Sequence, residues 1–379
     1  MSLTRANARS AKTTVPGRWR SLDPVLLLVS LALSAFGIMA VYVAGNDAQR
    51  AYAENQAIGF AVGIAGAITL ALIDYRIWQR HLKPIYVLIV AMLLAVIIAG
   101  AAAGGAQRWI NIGPVQVQPS EFAKLLVVIV LAGYIAEKPI RENMTFLKTL
   151  GILSIPALLV FAQPDLGTAL VFGAVFVMMT FIGGARLFQL GALAGVGVIA
   201  AILAVKLKIL AEYQVARLTA FMDPSGSTDV GYQVAQSKTA IGSGGLTGKG
   251  FDATTLANLG FLPEDHTDFI FSNLAERIGF VGGMFLLLLF FILIWRILHI
   301  ATISRDRFGV LLAVGIATIF LFHVFINVGM TMGIMPVTGI PLPFISYGRS
   351  SLVVSVISLG LLQSIAMRSR AEYSKRPNV

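Results

Sequence analysis

The sequence contains no cysteine among its 379 residues. This absence excludes a disulfide framework, thiolate catalysis and cysteine-based metal sites. Charged residues are also scarce, at 12% of the chain, and only 18 of them are acidic. Soluble domains use about twice that share of charged residues, so the composition excludes an ordinary soluble protein.

Apolar residues dominate instead, at 57% of the chain, with a mean hydropathy of +0.83. A run of about 20 apolar residues spans a bilayer core, and the sequence contains ten such runs. They lie near residues 25–44, 56–74, 84–103, 120–136, 146–162, 167–184, 187–206, 274–296, 308–330 and 350–367. We therefore predict an all-α, polytopic integral membrane protein with about ten transmembrane helices in a membrane domain at 25–367, which includes one large loop at 207–273.

The basic residues between these runs predict the orientation of the chain. They concentrate in the N-terminal tail (1–24), in the connections after runs 2, 4, 6 and 8, and in the C-terminal tail (368–379). The short connections after runs 1, 3, 5 and 9 hold only Arg50, Arg108 and Arg349. Both termini are therefore expected in the cytoplasm and the large loop outside. The net charge of +11 reflects this topology and not a nucleic-acid surface.

The large loop is rich in polar residues and glycine. Its segment AIGSGGLTGKG holds Gly242, Gly244, Gly245, Gly248 and Gly250. Glycine tolerates positive φ and allows a backbone to approach a ligand closely. The spacing matches neither the P-loop nor the dinucleotide-binding fingerprint, so a flexible loop and a ligand contact both stay open.

Ionisable side chains at membrane depth usually belong to a substrate or ion pathway, to an ion pair or to a functional site. The motif QPSEFAK places Glu121 and Lys124 three residues apart at the start of the fourth run. They are expected either to form an ion pair that orients helices or to take part in function. Arg108, beside Trp109, has no acidic neighbour in sequence, so it is expected either to be solvated or to meet an anionic headgroup or substrate phosphate.

The connection between runs 5 and 6 is very short and predicts a tight outward turn. It holds Gln163, Pro164 and Asp165. Asp165 precedes Leu-Gly-Thr and an apolar run, a pattern typical of a helix N-cap. Its carboxylate is expected either to cap that helix or to line a cavity.

The acidic residues cluster in the stretch LPEDHTDFIFSNLAERIGFVG at 262–282, which holds Glu264, Asp265, Asp268 and Glu276. If a helix began at Pro263, like charges would share one face, which is unfavourable for structure alone. Asp268 is followed at once by Phe-Ile-Phe, so its carboxylate is expected to be desolvated and suited to proton abstraction. Glu276 would then lie deeper on roughly the same face. His266 is a further candidate base or metal ligand.

Five strings carry a resemblance to a known family: RWINIGPVQVQPSEFAK, QPDLGTAL, GYQVAQSKTAIGSGGLTGKG, FLPEDHTDFIF and GIMPVTGIPLPFISYG. Together they resemble the SEDS family of bacterial peptidoglycan glycosyltransferases, in the family's order, from about residue 23 to 367. The strings FLPE and QSKTAIGSGGL are more similar to the elongation branch of the family than to its division branch, where a lysine commonly precedes LPE.

The resemblance implies substrates, partners and a location. Family members polymerise lipid II, so the expected partners are lipid II, a polyprenyl-diphosphate-linked glycan, membrane lipids and a class B penicillin-binding protein that acts as transpeptidase. The expected location is the bacterial inner membrane. The aspartate of the family's HTDF motif, regarded as catalytic, falls on Asp268, and the ion pair of its PSExAK motif falls on Glu121 and Lys124.

Family products are β-linked and come from an α-linked donor, so the resemblance implies inversion with a single general base, and Asp268 is assigned that role. The diphosphate leaving group is expected to meet Arg108, Lys238, Arg349 or a divalent cation, Mg²⁺ or Mn²⁺, since cations act best where charge develops. No other cofactor is expected. The supporting or substrate-binding residues expected in full are Arg108, Trp109, Glu121, Lys124, Gln163, Asp165, Gln236, Ser237, Lys238, Gly242, Gly244, Glu264, His266, Thr267, Glu276 and Ser346.

Two residues depart from the family pattern. Arg277 stands where many relatives have a second acid, which weakens a metal site built on a carboxylate pair with Glu276. Arg349 stands where glycine is common and adds a positive charge at the outer face.

Two rival classes of function stay open. A lipid-linked precursor flippase or secondary transporter would also have ten spans and a helix broken at PVTGIPLPF, but its essential acid should lie near the midplane of the membrane. A noncatalytic scaffold would tolerate the loss of Asp268.

Overall fold

The computed structural model describes residues 21–44, 50–103, 106–112, 115–208, 212–222, 229–251, 253 and 266–373. The elements are α1 (Pro24–Ala44), α2 (Arg50–Leu72), α3 (Arg76–Arg80), α4 (Leu82–Ala99), β1 (Ala101–Ala103), β2 (Ala106–Ile112), β3 (Val115–Val117), α5 (Pro119–Glu137), α6 (Asn143–Ala162), α7 (Leu166–Ile182), α8 (Leu187–Lys206), α9 (Glu212–Met222), α10 (Asp229–Ser243), α11 (Ile270–Ile303), α12 (Arg307–Thr331) and α13 (Arg349–Tyr373). Within these ranges, nine helices are long and apolar enough to cross a membrane, and the shorter apolar helix α7 is the tenth. The predicted all-α, polytopic membrane architecture is confirmed.

The helices differ sharply in how much of their surface the protein covers. Most residues of α5, α12 and α13 are buried, and α12 packs against α5, α7 and α11. In contrast, α8 exposes apolar side chains around its circumference, such as Phe188 and Val196. A helix that is apolar all round must be covered by protein or by lipid, so α8 lies at the periphery and α12 at the centre.

A small antiparallel sheet of order β1-β2-β3 connects α4 to α5. Ala101 pairs with Trp109, and Ile110 pairs with Val117. Isoleucine and valine at alternate positions of β2 and β3 favour strand structure. The run predicted at 84–103 was too long, because the alanines of β1 are apolar without favouring a membrane helix over a strand.

Helix α11 is longer than its predicted run, with 34 residues from Ile270, and it is interrupted at Gly279, where φ is 66° and ψ is −168°. The backbone N–H groups of Phe280 and Val281 beyond the interruption donate to the carbonyls of Gly245 and Leu246. Residues 266–269 form a turn, so Asp268 precedes the helix. The expectation that Asp268 and Glu276 share one helical face is therefore wrong.

Candidate active site

The backbone of the HTD segment is fixed at three successive carbonyls. His266 O accepts from the backbone N–H of Tyr347 at 2.9 Å, and Thr267 O accepts from the hydroxyl of Ser346 at 2.7 Å. Asp268 O accepts from the side-chain amide of Asn327 on α12 at 3.0 Å. Because each carbonyl is bound to the segment after α12 or to α12 itself, the position of the Asp268 side chain is set by the membrane domain.

The Asp268 carboxylate lies beside the arginine Arg217, and both groups lie close to Gly339. A Cβ placed on Gly339 would lie 3.3 Å from both Asp268 Oδ2 and Arg217 Nη1. Gly339 has a φ of 72° and belongs to the segment PVTGIP between α12 and α13. A side chain here would press on both the carboxylate and the guanidinium, and the positive φ also favours glycine at this position.

Arg217, on α9, also forms the wall between two small cavities. One cavity, with about 280 Å³ of space outside protein atoms, is lined by Lys238 of α10 together with Gly333 and Met335. The other, of about 410 Å³, is lined by Arg108 of β2. Both cavities share Arg217, Pro336 and Val337. Three cationic side chains from three different elements therefore surround the segment that approaches Asp268.

Arg108 is tied to the α6–α7 turn. Its guanidinium donates to the carbonyls of Gln163, at 3.3 Å, and Pro164. Gln163 is itself held, because its side-chain amide donates to Leu93 O on α4 at 2.9 Å. Trp109 follows Arg108 on β2, and successive side chains of a strand point to opposite faces. The structure thus brings Arg108 to the cavity and directs Trp109 to the other side.

His266 belongs to an aromatic group at the same membrane face. Its ring stacks on Tyr52 of α2 with ring centroids 5.1 Å apart, and Tyr52 contacts Tyr347 at 4.6 Å. The group covers the segment that carries Asp268 and connects it to α2. His266 is therefore an aromatic packing residue beside the site in this structure.

Glu121 and Lys124 form a buried ion pair on α5. Lys124 Nζ donates to Glu121 Oε1 at 2.8 Å and lies 3.1 Å from His323 Nε2 on α12. His323 Nδ1 lies 3.2 Å from Pro341 O, which is only an acceptor, so Nδ1 carries the proton and Nε2 accepts from the lysine. The pair joins α5 to α12 and to the segment that follows Gly339.

Asp165 acts as the N-cap of α7. Its carboxylate accepts from the backbone N–H and the hydroxyl of Thr168, at 3.1 and 2.9 Å, and from the hydroxyl of Ser120 at 3.2 Å. Of the two roles left open by the sequence, the geometry favours capping.

The glycine-rich segment forms part of the packing between α10 and α11. A Cβ on Gly244 would lie 2.1 Å from Ala275 O, whereas a Cβ on Gly242 would meet nothing within 4 Å. The hydroxyl of Ser237 donates to Thr331 O at 2.7 Å and lies 2.5 Å from that of Ser272. Gly244 therefore permits two backbones to touch, whereas Gly242 faces open space.

Glu276 completes this packing. It is fully buried, and its Oε1 accepts from Lys249 Nζ at 2.6 Å and from the Ser243 hydroxyl at 3.3 Å. Arg277 donates to Phe251 O at 2.7 Å and to Asn273 Oδ1 at 2.9 Å. Both residues bind the segment after α10 to α11.

The remaining predicted residues have simpler positions. Gln236 is half-buried on α10, one position before Ser237. Arg349 begins α13 and packs on α2, where a Cβ on Gly59 would lie 3.5 Å from its side chain. Glu264 lies outside the described residues. Within the described ranges, no group of three or more His, Cys, Asp or Glu side chains has the arrangement of a metal site.

Sequence reasoning missed Arg217, Asn327 and His323. Arg217 lies in the large loop, where it was one basic residue among several, but α9 has the alternation of polar and apolar residues of an amphipathic helix. That pattern was a signal that this part of the loop packs on the membrane domain. Asn327 and His323 were available as polar residues inside an apolar run.

The fold and site define a polytopic helical membrane protein in which, among the residues that the structure describes, the Asp268 carboxylate lies near three cationic side chains. Residues 23–371 match the FtsW/RodA/SpoVE family of cell cycle proteins, and the chain belongs to that family.

Two relatives show how much of the chain this similarity covers. The probable peptidoglycan glycosyltransferase FtsW of Trichlorobacter lovleyi is 38% identical over 365 residues, covering 93% of this chain and 94% of that protein. The peptidoglycan glycosyltransferase MrdB of Escherichia coli is 39% identical over 350 residues, covering 91% and 93%.

Solved structures share the fold. A chain from a peptidoglycan synthase complex, studied for its coordination of polymerization and crosslinking, superposes with a TM-score of 0.79 at 28% identity, covering 94% of this chain and 100% of that one. The crystal structure of the rod shape determining protein RodA of Thermus thermophilus superposes with a TM-score of 0.71 at 28% identity, covering 94% and 99%.

Proposed function

We propose that this protein is a peptidoglycan glycosyltransferase that polymerises lipid II into glycan strands, with Asp268 as its general base. The observation that carries the proposal is the position of Asp268 beside Arg217 at Gly339, with Arg108 and Lys238 in the adjoining cavities. Transfer of a sugar from a diphosphate needs a base for the nucleophile and cations for the leaving group. Family membership and the names of the relatives support the same activity.

The proposed chemistry assigns each group one task. The Asp268 carboxylate accepts the proton of the acceptor hydroxyl as its oxygen attacks the anomeric carbon of the donor. The bond from that carbon to the diphosphate breaks, and the configuration inverts because no covalent enzyme intermediate forms. Arg108, Arg217 and Lys238 stabilise the negative charge that develops on the diphosphate, where preorganised cations are most effective.

A divalent cation, Mg²⁺ or Mn²⁺, is the alternative partner for the diphosphate. Among the described residues near Gly339, the donor set is one carboxylate beside a guanidinium, which suits an anion better than a metal ion. We therefore propose that the arginines and the lysine carry this task. Polymerisation measured across a titration with EDTA tests the assignment, and activity abolished by EDTA and restored by Mg²⁺ or Mn²⁺ would overturn it.

We also propose that the protein resembles RodA in acting during cell elongation, together with a class B penicillin-binding protein. The strings FLPE and QSKTAIGSGGL and the similarity to RodA support this branch. The proposed location is the bacterial inner membrane, with both termini in the cytoplasm and Asp268 at the outer face, as the distribution of basic residues indicates. The donor and acceptor lipids would then meet Asp268 from the outer leaflet.

The test is glycan-strand formation from purified lipid II by the full-length chain, alone and with a class B penicillin-binding protein whose own active site is blocked. We expect polymer from the wild type and a loss of about 10²-fold or more for Asp268→Ala, the range for removal of a general base. Asp229→Ala, an exposed carboxylate on α10, is the matched control and should keep full activity.

Each outcome is informative. Equal polymer from the wild type and a folded Asp268→Ala variant would remove Asp268 from the chemistry. No polymer from either chain, even with the partner present, would favour a lipid-linked precursor flippase or transporter.

A further inference from the structure

A groove between α1, α2 and α13 lies at the opposite end of the membrane domain from Asp268. It contains about 830 Å³ of space outside protein atoms, counting its open side. Its walls are mostly apolar and include Leu27, Leu31, Phe60, Ile68, Val356 and Leu359. These residues belong to the first half of α1, the second half of α2 and the middle of α13, whereas the site lies near Tyr52 and Tyr347, where α2 and α13 begin.

The groove has the length of a lipid chain in one leaflet. An α-helix rises about 1.5 Å per residue, so the lining from Phe60 to Ala71 on α2 measures roughly 16 Å. The hydrocarbon core of one leaflet is about half of ~30 Å deep. A single acyl chain from the leaflet on the side of the termini therefore matches the groove in length and polarity.

The mouth of the groove carries an excess of positive charge. Leu22 and Gln363 line this end, and both are bonded to a charged cluster. Arg370 donates to Leu22 O at 2.9 Å and to Asp23 Oδ2 at 2.7 Å, and Arg296 Nη2 lies 2.6 Å from the same oxygen. Two guanidinium groups thus share one carboxylate, and the Arg370 side chain is 31% exposed. Arg368 nearby is balanced by Asp74.

We propose that this groove binds one acyl chain of an anionic phospholipid, whose phosphate contacts Arg370. The apolar walls select an alkyl chain, and basic pockets between transmembrane helices select anionic headgroups. The assignment to the cytoplasmic leaflet rests on the proposed orientation of the chain, whereas the binding itself is independent of the chemistry at Asp268. The ligand is distinguished from the polymerase substrates by its place in the opposite leaflet.

Native mass spectrometry of the purified full-length protein in detergent tests the proposal, with phosphatidylglycerol and phosphatidylcholine of identical acyl chains as probes. We expect phosphatidylglycerol to be retained about fivefold better, the effect of one uncompensated basic residue near an anionic headgroup. Arg370→Gln leaves the Arg296–Asp23 pair in place and should abolish this preference while retaining the chain-dependent binding. Ala67→Phe, which fills the groove, should reduce binding of both lipids.

Two variants serve as matched controls. Ala65→Phe places the same ring on an exposed position of α2 outside the groove, and Arg80→Gln removes an exposed cation from α3. Both should bind lipid as the wild type does. Equal retention of the two lipids by the wild type, or unchanged binding in a folded Ala67→Phe variant, would overturn the proposal.

A second measurement on the wild type covers the case in which Ala67→Phe does not fold. A phosphatidylglycerol with a photoreactive diazirine on its acyl chain should label peptides of α1, α2 and α13 in vesicles. Label spread evenly over the lipid-facing helices, including α8, would refute a specific site. Label displaced by a second protein copy or by a partner subunit would replace the lipid with a protein occupant.

Discussion

Two aspartates at opposite ends of the membrane domain show how the same side chain serves different purposes. Asp23 is fully buried, and its carboxylate is shared by Arg296 and Arg370. Asp268 is partly exposed in a turn, with its backbone fixed and its carboxylate beside Arg217 at Gly339. The first arrangement stabilises three helices against each other, and the second places a partly exposed carboxylate beside a guanidinium.

The difference lies in what holds each residue. At Asp23 the side-chain carboxylate makes the contacts, which join the start of α1 to α11 and α13. Around Asp268, the backbone carbonyls of the HTD segment accept hydrogen bonds from Tyr347, Ser346 and Asn327. These backbone contacts fix where the Asp268 side chain begins, and its carboxylate lies beside Arg217 at Gly339. Burial of an acid therefore does not by itself mark a functional site.

Glu121 tests this comparison. Its side chain is ion-paired, as that of Asp23 is, but it lies at the same end of the membrane domain as Asp268. Lys124→Met would leave Glu121 buried without its 2.8 Å partner. We expect a loss of about 3–5 kcal/mol in stability, as for other broken buried pairs. Glu121→Gln combined with Lys124→Met removes both charges and should recover part of that loss, measured by thermal melting in detergent.

The activity of that double variant decides the role of the pair. If the pair only orients α5 and α12, the folded double variant should polymerise lipid II at close to the wild-type rate. A folded but inactive double variant would show that a side chain held entirely by others also takes part in the reaction, and the comparison would fail.

Asp23→Asn removes one carboxylate of the comparison, as Asp268→Ala removes the other. It leaves two arginines that are only 15% and 31% exposed without their carboxylate, so we expect a loss of about 3 kcal/mol in stability. The activity of the folded fraction should be unchanged. Asp229→Asn, at an exposed carboxylate on α10, is the control and should change stability by less than about 0.5 kcal/mol.

The pH dependence of this variant has a defined sign. Burial alone would raise the pKa of Asp23, but the hydrogen bonds from Arg296 and Leu26 and the charges of Arg296 and Arg370 hold the pKa below its ordinary value. The stabilisation is therefore present at neutral pH and is lost as the pH falls below about 4. The difference in melting temperature between wild type and Asp23→Asn should shrink in that acid range; a constant difference would assign it to packing.

Arg217 tests the other side of the comparison. Arg217→Gln should lower the turnover number about 10²-fold with little change in melting temperature, the effect of removing one group that stabilises developing charge. Arg217→Lys keeps the charge without the planar fork and should lose about tenfold. Lys206→Gln removes an exposed cation at the end of α8 and is the matched control. If Arg217→Gln lost as much stability as Asp23→Asn does, Arg217 would have a structural role like that of the arginines at Asp23.

Composition and hydrophobic runs were sufficient to predict the helical membrane fold, because a bilayer leaves few alternatives for a backbone. They could not predict where α11 begins or that Gly279 interrupts it, since those depend on hydrogen bonds to Gly245 and Leu246 from a distant segment. Motif resemblance singled out Asp268, which the structure places in the turn before α11 and beside Arg217. It could not reveal Arg217, because that neighbour comes from α9, some 50 residues away in the chain.

The glycine-rich segment gives the smallest expected effect and separates packing from ligand contact. Gly244→Ala would place a Cβ 2.1 Å from the backbone oxygen of Ala275, so α10 and α11 must separate, at a cost of about 1–3 kcal/mol. Gly242→Ala, two positions away on α10, meets nothing and should gain up to about 1 kcal/mol from better helix propensity. Melting temperatures and polymerase rates of the two variants are the measurement. Loss of activity in a fully stable Gly242→Ala variant would indicate that the segment contacts substrate. These glycines would then serve the reaction, as proposed for Asp268, and not only packing, as Asp23 does.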